Sequence, residues 1–231
     1  MTDEGPASPP APGRRQIYVV DDHALVREGL ARLIDQEPDL CVCAEAADAG
    51  QAFDGIVRTR PDAVIVDLSL KGDSGLDLIK RLQSLPAPPP VLVLSMHDEA
   101  FYAERSLRAG ALGYVMKRET SGKVIDALRR ILTGQLYVSA PIAAQAAEKF
   151  LRTRSVSSSS PLDSLTDREI EVFRLIGQGM ENRRIAEELH LSLKTVQTHC
   201  AHIKEKLGFE NATVLMREAV RWVESQSRGQ V

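Results

Sequence analysis

The stretch Ala-Val-Ile-Val-Asp-Leu-Ser-Leu at residues 63–70 most constrains what this chain can fold into. An unbroken apolar run rich in β-branched residues is typical of a strand covered on both faces, as in a parallel sheet. Pro61 and Asp62 precede the run, and a glycine-rich turn follows it. Because ligands of open parallel sheets bind outside the carboxyl ends of the strands, Asp67 is predicted to lie at a functional position. An ordinary helix or loop cap remains the alternative for an isolated acid.

Four more short apolar segments are predicted to be strands, and three of them end in polar side chains. These segments are residues 17–20, 40–46, 91–94 and 113–116. Apolar residues at helical spacing follow each strand, so the order predicts a doubly wound, flavodoxin-like α/β domain with a parallel sheet. The polar side chains at the strand ends would then meet Asp67 at one edge of the sheet: Asp21, Asp22, Ser95 and Lys117.

Length and composition favour two domains and exclude several classes of protein. The chain has 231 residues, a formal net charge of -3 and a pI near 6.0, and residues 161–231 carry 10 basic and 11 acidic side chains. Any DNA-binding face must therefore be local. Cys41, Cys43 and Cys200 have no metal-ligand spacing, which favours a reducing cytoplasm. Residues 1–15 are proline-rich, so we expect a disordered tail, and no apolar run approaches the roughly 20 residues of a membrane span.

The acids at the strand ends predict a metal-assisted phosphoryl acceptor. Three carboxylates in one crevice repel one another, and a hard cation such as Mg²⁺ relieves that repulsion while leaving positions for phosphoryl oxygens. Asp67 would attack phosphorus and form an aspartyl-phosphate. Lys117 would neutralise charge on the phosphoryl group, and Ser95 would donate a hydrogen bond to it. Each residue alone could be a solvated loop residue, and for Lys117 alone that alternative is stronger.

The order of these residues resembles the receiver domain of two-component response regulators. The resemblance covers residues 16–132 and is carried by Val20-Asp21-Asp22, Asp67, Ser95, Tyr114 and Lys117 on alternating strands. It implies that a sensor histidine kinase donates the phosphoryl group to Asp67. The chain departs from many receivers at Arg118, where proline is common.

The same resemblance implies roles for several individual residues. Asp22 would bind Mg²⁺ directly, Asp21 would bind it through water, and the Ser69 backbone carbonyl would be a further ligand beside Asp67. Ser95 and Tyr114 would act as a switch, the hydroxyl moving to the phosphoryl group and the aromatic ring turning inward. Physically, this is a two-state element biased by a local change of charge.

The second half of the chain predicts a linker followed by a helical domain. We expect a linker over residues 133–161, with helical potential at 143–151 and a serine-rich run at 155–160, then a four-helix domain over 162–225 and a tail over 226–231. Thr166 and Glu169 form a capping box at the first helix. Two further predicted helices, residues 183–189 and 192–207, are joined by a tight turn and suggest a helix-turn-helix.

The predicted third helix has one apolar and one polar face. At 100° per residue, the apolar face carries Val196, Cys200, Ile203 and Leu207. The opposite face carries Lys194, Thr198, Ala201, His202 and Glu205, with Gln197 and Thr195 on its flanks. Gln pairs with adenine, Thr and Ala methyl groups contact the thymine methyl, and Lys meets phosphate or guanine. An ordinary solvated helix face is the alternative, and the residues alone favour it slightly because the domain is not basic.

Residues 162–223 resemble the LuxR-type helix-turn-helix of NarL/FixJ response regulators. The resemblance is carried by Leu165-Thr166-x-Arg168-Glu169, Ile185-Ala186-Glu187-Glu188-Leu189, Lys194-Thr195-Val196-x-x-His199 and Lys206-Leu207-Gly208. It implies DNA contacts by the polar face together with Arg183 and Arg184. Gln197, Ala201 and Glu181 depart from the usual pattern, so the bases read are open. The last helix would supply a dimer surface from Val214, Leu215, Ala219 and Trp222, for which core packing is the alternative.

The sequence favours a phosphorylation-activated transcription regulator over three rivals. An aspartyl phosphatase usually has a second acid two residues after the nucleophile, where this chain has Ser69. A nucleotide- or flavin-binding module would have a glycine-rich phosphate loop after a strand, and residues 21–25 do not form one. A receiver that signals without phosphate would lack one of the site residues. We therefore predict a cytoplasmic homodimer on double-stranded DNA, not an enzyme, with a histidine kinase and RNA polymerase as candidate partners.

Overall fold

The chain divides into two compact units, residues 1–151 and 152–231. The computed structural model describes residues 13–70, 74–96, 99–119, 121–144 and 161–228. Most of the predicted N-terminal tail, the serine-rich run and the last three residues lie outside these ranges. Within the described residues, no helix is both long and apolar enough to cross a membrane.

Five parallel strands alternate with five helices in the described part of the N-terminal unit up to residue 132. The strands are β1 (Arg15–Val20), β2 (Leu40–Ala46), β3 (Ala63–Val66), β4 (Val91–Ser95) and β5 (Gly113–Met116). The helices are α1 (Ala24–Asp35), α2 (Ala49–Thr59), α3 (Gly75–Gln83), α4 (Glu99–Ala109) and α5 (Ser121–Leu132). The strand order is β2-β1-β3-β4-β5, which is the flavodoxin-like order. The predicted fold class of this unit is confirmed.

The sheet is covered on both faces, which explains its unbroken apolar strands. Along β3, Val64 and Val66 belong to a cluster with residues of α2, α3 and α4, whereas Ile65 belongs to a cluster with residues of α1 and α5. All four residues of β3 are buried. Because neighbouring side chains of a strand point to opposite faces, a strand between two helical layers needs apolar residues at every position.

The N-terminal unit begins earlier than predicted. Strand β1 starts at Arg15, which the sequence assigned to the tail. The guanidinium of Arg14 donates hydrogen bonds to the carbonyl oxygens of Asp35 (2.9 Å) and Glu37 (3.0 Å) at the end of α1. These bonds attach Arg14 to the unit, just before β1 begins at Arg15. Two arginines after a proline-rich run do not reveal such a contact in the sequence.

The first part of the predicted linker also belongs to the N-terminal unit. Tyr137 forms a parallel bridge with Gly113 of β5, residues 140–144 are helical, and Ile142 is buried in the apolar cluster that covers one face of the sheet. The predicted linker boundary at residue 133 is therefore corrected: the described residues 133–144 pack on the receiver. Their few apolar side chains have no period that would reveal this from the sequence.

Over its described residues 161–228, the C-terminal unit contains four α-helices after a short 3-10 turn at Pro161–Ser164. They are α6 (Asp167–Gly177), α7 (Asn182–Glu188), α8 (Leu193–Leu207) and α9 (Ala212–Arg228). The predicted capping box is present, since Thr166 Oγ1 accepts from the Glu169 N–H and Glu169 accepts from the Thr166 N–H. Ser192 caps α8 through the Thr195 N–H, and Gly208, with φ of 68°, ends it. The predicted four-helix fold is confirmed.

Helices α6 and α9 pack closely in the core of this unit. The Phe173 ring lies 5.6 Å from the Trp222 ring and 6.4 Å from the Phe209 ring, measured between centroids. A Cβ on Gly177 would stand 2.4 Å from the Ala219 carbonyl oxygen, so the two backbones meet where a larger residue has no room. This contact fixes which face of α9 is turned inward.

Candidate functional site

Asp67 follows β3 directly, and a close backbone turn holds it in place. Its side chain is buried, and its backbone N–H donates to the Val20 carbonyl at 2.8 Å. The chain then turns back at Gly75, whose N–H donates to the Leu68 carbonyl at 3.0 Å. A Cβ on Gly75 would stand 2.1 Å from the Asp67 carbonyl oxygen. Only glycine therefore allows this approach without displacing the backbone that carries Asp67.

Lys117 links two of the acids that the sequence predicted at the strand ends. Its Nζ lies 2.6 Å from Asp67 Oδ2 and 2.6 Å from Asp21 Oδ2, and all three side chains are largely buried. The Lys117 N–H donates to the Ser95 carbonyl at 2.8 Å, which fixes the end of β5 beside the end of β4. The structure thus brings together side chains from β1, β3 and β5 that lie up to 96 positions apart in the sequence.

A third carboxylate completes an acidic pocket that fits a metal ion. Ligand atoms of Asp21, Asp22, His23 and Asp67 all lie within 4.8 Å of one another. The Asp22 side chain is 3% exposed, and its Oδ1 lies 2.7 Å from His23 Nδ1 without forming a hydrogen bond. A buried carboxylate oxygen with no hydrogen-bond partner among the described residues is suited to a cation. Three carboxylates and one ammonium leave net negative charge in the pocket.

Burial and charge shift the pKa values of the two central groups. Burial raises the pKa of Asp67, and the Lys117 ammonium offsets only part of that effect. Burial alone would lower the pKa of Lys117, but attraction to Asp67 and hydrogen bonds to Asp21 and Asp67 raise it overall. Lys117 is therefore held in its charged form beside the carboxylates.

The other predicted receiver residues are carried by β4, by β5 and by the turn that follows β3. Ser95 ends β4 and is completely buried, and Tyr114 pairs with Val93 across β4 and β5. Tyr114 is 1% exposed, so its ring already has the inward position that the resemblance associates with the switch. Ser69 lies two residues beyond Asp67, and its N–H donates to Asp67 Oδ1 at 3.3 Å.

Arg27 supports the acidic pocket, and sequence reasoning missed it. Its Nη1 donates to the Asp21 backbone carbonyl at 2.6 Å, and its Nε donates to Glu45 at 3.2 Å. Asp21 Oδ1 in turn accepts from the His23 N–H at 2.9 Å. Arg27 therefore holds the turn between β1 and α1. The sequence feature that could have indicated this role is an arginine in the first turn of the helix that follows the two acids.

All but one of the predicted DNA-binding side chains of the helix-turn-helix are exposed. Exposed residues are Lys194, Gln197, Thr198, Ala201 and His202 on α8 and Arg183 and Arg184 on α7, whereas Thr195 is half-buried beside its cap Ser192. On the opposite face of α8, Val196 and Ile203 are buried as predicted, while Cys200 and Leu207 are half-buried. The angular division of this helix into core and solvent faces is thus observed.

A buried carboxylate anchors the last turns of α8. Glu169 is 2% exposed and accepts a hydrogen bond from Lys206 Nζ at 2.7 Å, while His202 Nδ1 lies 3.7 Å away. Burial opposes ionisation of Glu169, but the bonds from Lys206 and Thr166 lower its pKa overall. Nearby, burial lowers the pKa of His199, whose buried Nδ1 has no hydrogen bond to any described residue, as is typical of a histidine that packs against the core.

The candidates for a dimer surface on α9 fall into two groups. Leu215 and Ala219 are buried against the rest of the C-terminal unit, which removes them from the candidates because their side chains already fill its core. Trp222 is half-buried and packs on Phe173. Val214 is half-buried and stays a candidate. Helical periodicity alone could not separate the inward face from a surface that meets a partner.

Comparison with known proteins places both units in one family. A family model described as "Response regulator receiver domain" matches residues 17–129, and one described as "Bacterial regulatory proteins, luxR family" matches residues 163–219. The oxygen regulatory protein NreC of Staphylococcus epidermidis is 35% identical over 211 residues, which are 89% of this chain and 97% of that protein. The chain belongs to the NarL/FixJ-type response regulators. It is a phosphorylation-dependent transcription regulator of a DNA-binding family, not of a family of classical enzymes.

Solved structures show the same relationship for this regulator. The two-component response regulator of the LuxR family from Aurantimonas sp. SI85-9A1 is 37% identical, with a TM-score of 0.55, and the match covers 60% of this chain and 99% of that one. The signal receiver domain of the response regulator NarL from Mycobacterium tuberculosis is 30% identical, with a TM-score of 0.51, over 54% of this chain and 100% of that one.

Proposed function

We propose that Asp67 is the phosphoryl acceptor of this regulator and that a sensor histidine kinase is the donor. The observation that carries the proposal is the position of Lys117, whose ammonium contacts both Asp67 and Asp21 in a buried pocket. In the transfer, an Asp67 carboxylate oxygen forms a bond to phosphorus while the bond from phosphorus to the donor's imidazole nitrogen breaks. Lys117 then balances the charge of the equatorial phosphoryl oxygens.

Mg²⁺ is the ion that best suits the acidic pocket, with Asp21, Asp22, Asp67 and the Ser69 carbonyl as its ligands. Hard oxygen donors favour this ion, and the buried Asp22 Oδ1, which has no hydrogen bond to any described residue, is available to bind it. When bound, Mg²⁺ neutralises charge on the incoming phosphoryl group. The chain itself holds the pocket through Arg27, which fixes the Asp21 carbonyl, and through the Gly75 turn, which fixes Asp67.

Ser95 and Tyr114 are proposed to sense the phosphoryl group. Ser95 ends the strand next to β3, so its hydroxyl can move toward a group on Asp67. Tyr114 lies in β5, the strand next to β4, and its ring is buried. Because the ring is already buried, a hydrogen bond from Ser95 to the phosphoryl group is expected to stabilise this inward position rather than to create it.

Intact mass spectrometry tests the phosphoryl-acceptor proposal. Full-length protein is incubated with Mg²⁺ and a small acyl phosphate donor, beside Asp67→Asn, which keeps the side-chain size but removes the nucleophilic carboxylate. The wild type is expected to gain one phosphoryl group and the variant none. An adduct of equal yield on Asp67→Asn, or none on the wild type, would contradict the assignment. Omission of Mg²⁺ with added chelator is expected to slow the reaction strongly.

The C-terminal unit is proposed to read double-stranded DNA with the exposed face of α8. Gln197, Thr198 and Ala201 would lie in the major groove, where an amide and two methyl groups recognise A·T pairs. Arg183, Arg184 and Lys194 would contact phosphates and fix the orientation of the helix. His202 lies on the same face beside Glu169, and Thr195 lies at its edge beside Ser192.

Two substitutions on this surface are expected to act differently on DNA binding. Gln197→Ala removes a base-reading group, so sequence preference should relax at one position, with a loss of about 1–3 kcal/mol for the preferred base. Arg183→Ala removes a phosphate contact, so affinity should fall for all sequences and the salt dependence should become shallower. Binding curves on duplexes selected from a random library, taken at several salt concentrations, distinguish the two. Unchanged affinity and preference in both variants would refute this recognition surface.

The remaining partners of the regulator follow from this activity. Control of transcription requires access to promoter DNA and places RNA polymerase among its partners. A homodimer on paired half-sites, with Val214 of α9 at the contact, would double the DNA surface that is read. The three free cysteines agree with a cytoplasmic location. The aspartyl-phosphate is a signal that persists and not an intermediate that turns over, so the protein is not proposed to be an enzyme.

A further inference from the structure

His23 stands at the edge of the acidic pocket, and its side chain has no part in starting helix α1. It occupies the N-cap position, where Ser, Thr, Asp and Asn are favoured because their side chains accept from a free backbone N–H. The His23 side chain makes no such bond and is 63% exposed. Neither helix capping nor core packing therefore explains a histidine at this position.

The backbone of His23 is fixed, so its imidazole is held beside the acids. The His23 N–H donates to Asp21 Oδ1 at 2.9 Å, and the His23 carbonyl accepts from the Val26 N–H at 3.1 Å and from the Arg27 N–H at 3.2 Å. The Arg27 guanidinium also donates to the Asp21 carbonyl. On a fixed backbone, the imidazole has only the few positions that its staggered rotamers allow.

The imidazole lies at distances from the neighbouring carboxylates that are typical of ligands sharing one ion. His23 Nδ1 lies 2.7 Å from Asp22 Oδ1 and 3.4 Å from Asp21 Oδ1. Adjacent ligands of an octahedral ion are about 3 Å apart and opposite ligands about 4.2 Å apart, since each bond is about 2.1 Å long. With Asp67, the four ligand atoms all lie within 4.8 Å of one another. One ion can therefore reach all four after small side-chain movements.

The closest of these pairs contains a buried oxygen without a hydrogen bond. The Asp22 side chain is 3% exposed, and its Oδ1 has no hydrogen bond to any described residue, although His23 Nδ1 is 2.7 Å away. A buried carboxylate oxygen without a partner is costly. A cation bound by both atoms removes that cost, because a carboxylate oxygen and an imidazole nitrogen can each offer it a lone pair.

Lys117 contacts the pocket in a way that leaves oxygen atoms for an ion. Its ammonium lies against the Oδ2 atoms of Asp21 and Asp67. The Oδ1 atoms of the same two residues accept from the backbone N–H groups of His23 and Ser69, and a carboxylate oxygen can accept more than one such contact. Oxygen ligands and one imidazole nitrogen are therefore available at the same place.

We propose that His23 is a nitrogen ligand of the ion in this pocket and gives the regulator a site for a first-row transition ion. Mg²⁺ is bound through oxygen, whereas imidazole binds Fe²⁺, Co²⁺, Ni²⁺ and Zn²⁺ well. The carboxylates suit Mg²⁺, and the added imidazole favours a transition ion, which we expect to displace Mg²⁺ from the shared ligands. This inference rests on the proposed function, because it concerns the ion beside Asp67. In the alternative, a protonated His23 pairs with Asp22 and needs no ion.

A matched pair of histidine-to-asparagine substitutions tests the ligand. His23→Asn replaces the imidazole with an amide and keeps a favoured N-cap residue, so α1 should start as before. His190→Asn removes an exposed imidazole from the C-terminal unit, at a φ of 51° that asparagine tolerates well. Titration calorimetry on the full-length protein measures the binding of Co²⁺ and of Mg²⁺ separately.

The two ions are expected to respond differently to His23→Asn. Co²⁺ should bind at least about tenfold more weakly, a loss seen even when a group that only orients a ligand is removed. Mg²⁺ binding should change by less than about threefold, because that ion uses the oxygen ligands. His190→Asn should bind both ions as the wild type does.

Pulsed electron paramagnetic resonance identifies the nitrogen directly. Mn²⁺ also accepts oxygen ligands and should occupy the same pocket as Mg²⁺. The full-length wild type with Mn²⁺, in the absence of any phosphoryl donor, is expected to show coupling to an imidazole nitrogen that changes when its histidines carry ¹⁵N. The coupling should be absent from His23→Asn and present in His190→Asn.

The outcomes decide the role of His23 separately from the proposed function. No nitrogen coupling in the wild type, or a coupling that survives in His23→Asn, would overturn the proposal in favour of the ion pair with Asp22. Equal losses of Co²⁺ and Mg²⁺ affinity in His23→Asn would also overturn it, because the imidazole would then shape the pocket without selecting the ion. Absence of the Asp67 adduct from the wild type would overturn the phosphoryl-acceptor proposal, and the nitrogen coupling would still decide whether His23 is a ligand.

Discussion

Lys117→Gln is expected to slow phosphoryl transfer to Asp67 by about 10²–10³-fold, the usual cost of removing one preorganised electrostatic group. The ammonium lies 2.6 Å from carboxylate oxygens of both Asp67 and Asp21, so its removal leaves two buried acids without their positive partner. The pKa of Asp67, already raised by burial, should rise further because Lys117 now opposes that shift. The measurement is the time course of adduct formation by intact mass, at saturating donor and Mg²⁺.

Lys123→Gln is the matched control, because it removes an exposed ammonium that pairs with Glu119 on the surface. Its rate should stay close to that of the wild type. Titration calorimetry adds a second readout: Mg²⁺ should bind Lys117→Gln more tightly than the wild type, since the pocket loses a positive charge. Equal transfer rates for both variants would show that Lys117 orders the pocket without stabilising the transferred group.

Phe173→Ala is expected to destabilise the C-terminal unit by about 3–5 kcal/mol, a large part of the stability of a domain this small. The ring is 2% exposed and stacks near both Phe209 and Trp222, so truncation leaves a cavity between α6 and α9. Denaturant unfolding followed by Trp222 fluorescence reports on this unit, because Trp222 is the only tryptophan in the chain.

Met216→Ala provides the comparison for this prediction. It also truncates a large apolar side chain, but Met216 is 51% exposed on α9. Its effect on the free energy of unfolding should stay within about 0.5 kcal/mol, the range of surface substitutions. A similar loss for both variants would mean that the aromatic cluster is not the core of the unit. Phosphorylation of Asp67 should be unaffected in either variant, since the receiver has its own core.

The fold was predictable because its strands and helices differ in apolar period. Buried strands such as β3 carry apolar residues at every position, whereas α8 repeats them every three or four residues. The first pattern indicates an element buried on both faces, and the second indicates a helix buried on one face. The chemistry of the site followed from topology: once the strands are parallel, their carboxyl ends meet, and Asp21 and Asp67 must be neighbours. The capping box at Thr166 depends only on residues three positions apart, and both of its hydrogen bonds were predicted correctly from the sequence.

The contacts that the sequence did not predict are those made between distant parts of the chain by backbone groups. Arg27 binds a backbone carbonyl, and Tyr137 and Ser139 donate backbone N–H groups; every residue except proline has such groups, so they leave no pattern. The inward turn of Leu215 was hidden for a different reason. A helix that contacts a core and a helix that contacts a partner have the same apolar period.

The packing of residues 133–144 on the receiver has one more consequence, which concerns the edges of the sheet. The sheet ends at β2 on one side and at β5 on the other, and an edge strand offers its unpaired backbone groups to other chains. Tyr137 already bonds to the Leu112 carbonyl and the Tyr114 N–H at the β5 edge. We expect this pairing to protect the receiver against strand-to-strand aggregation. A receiver fragment that stopped at residue 132 would lose that protection, whereas one that continued to residue 144 would keep it.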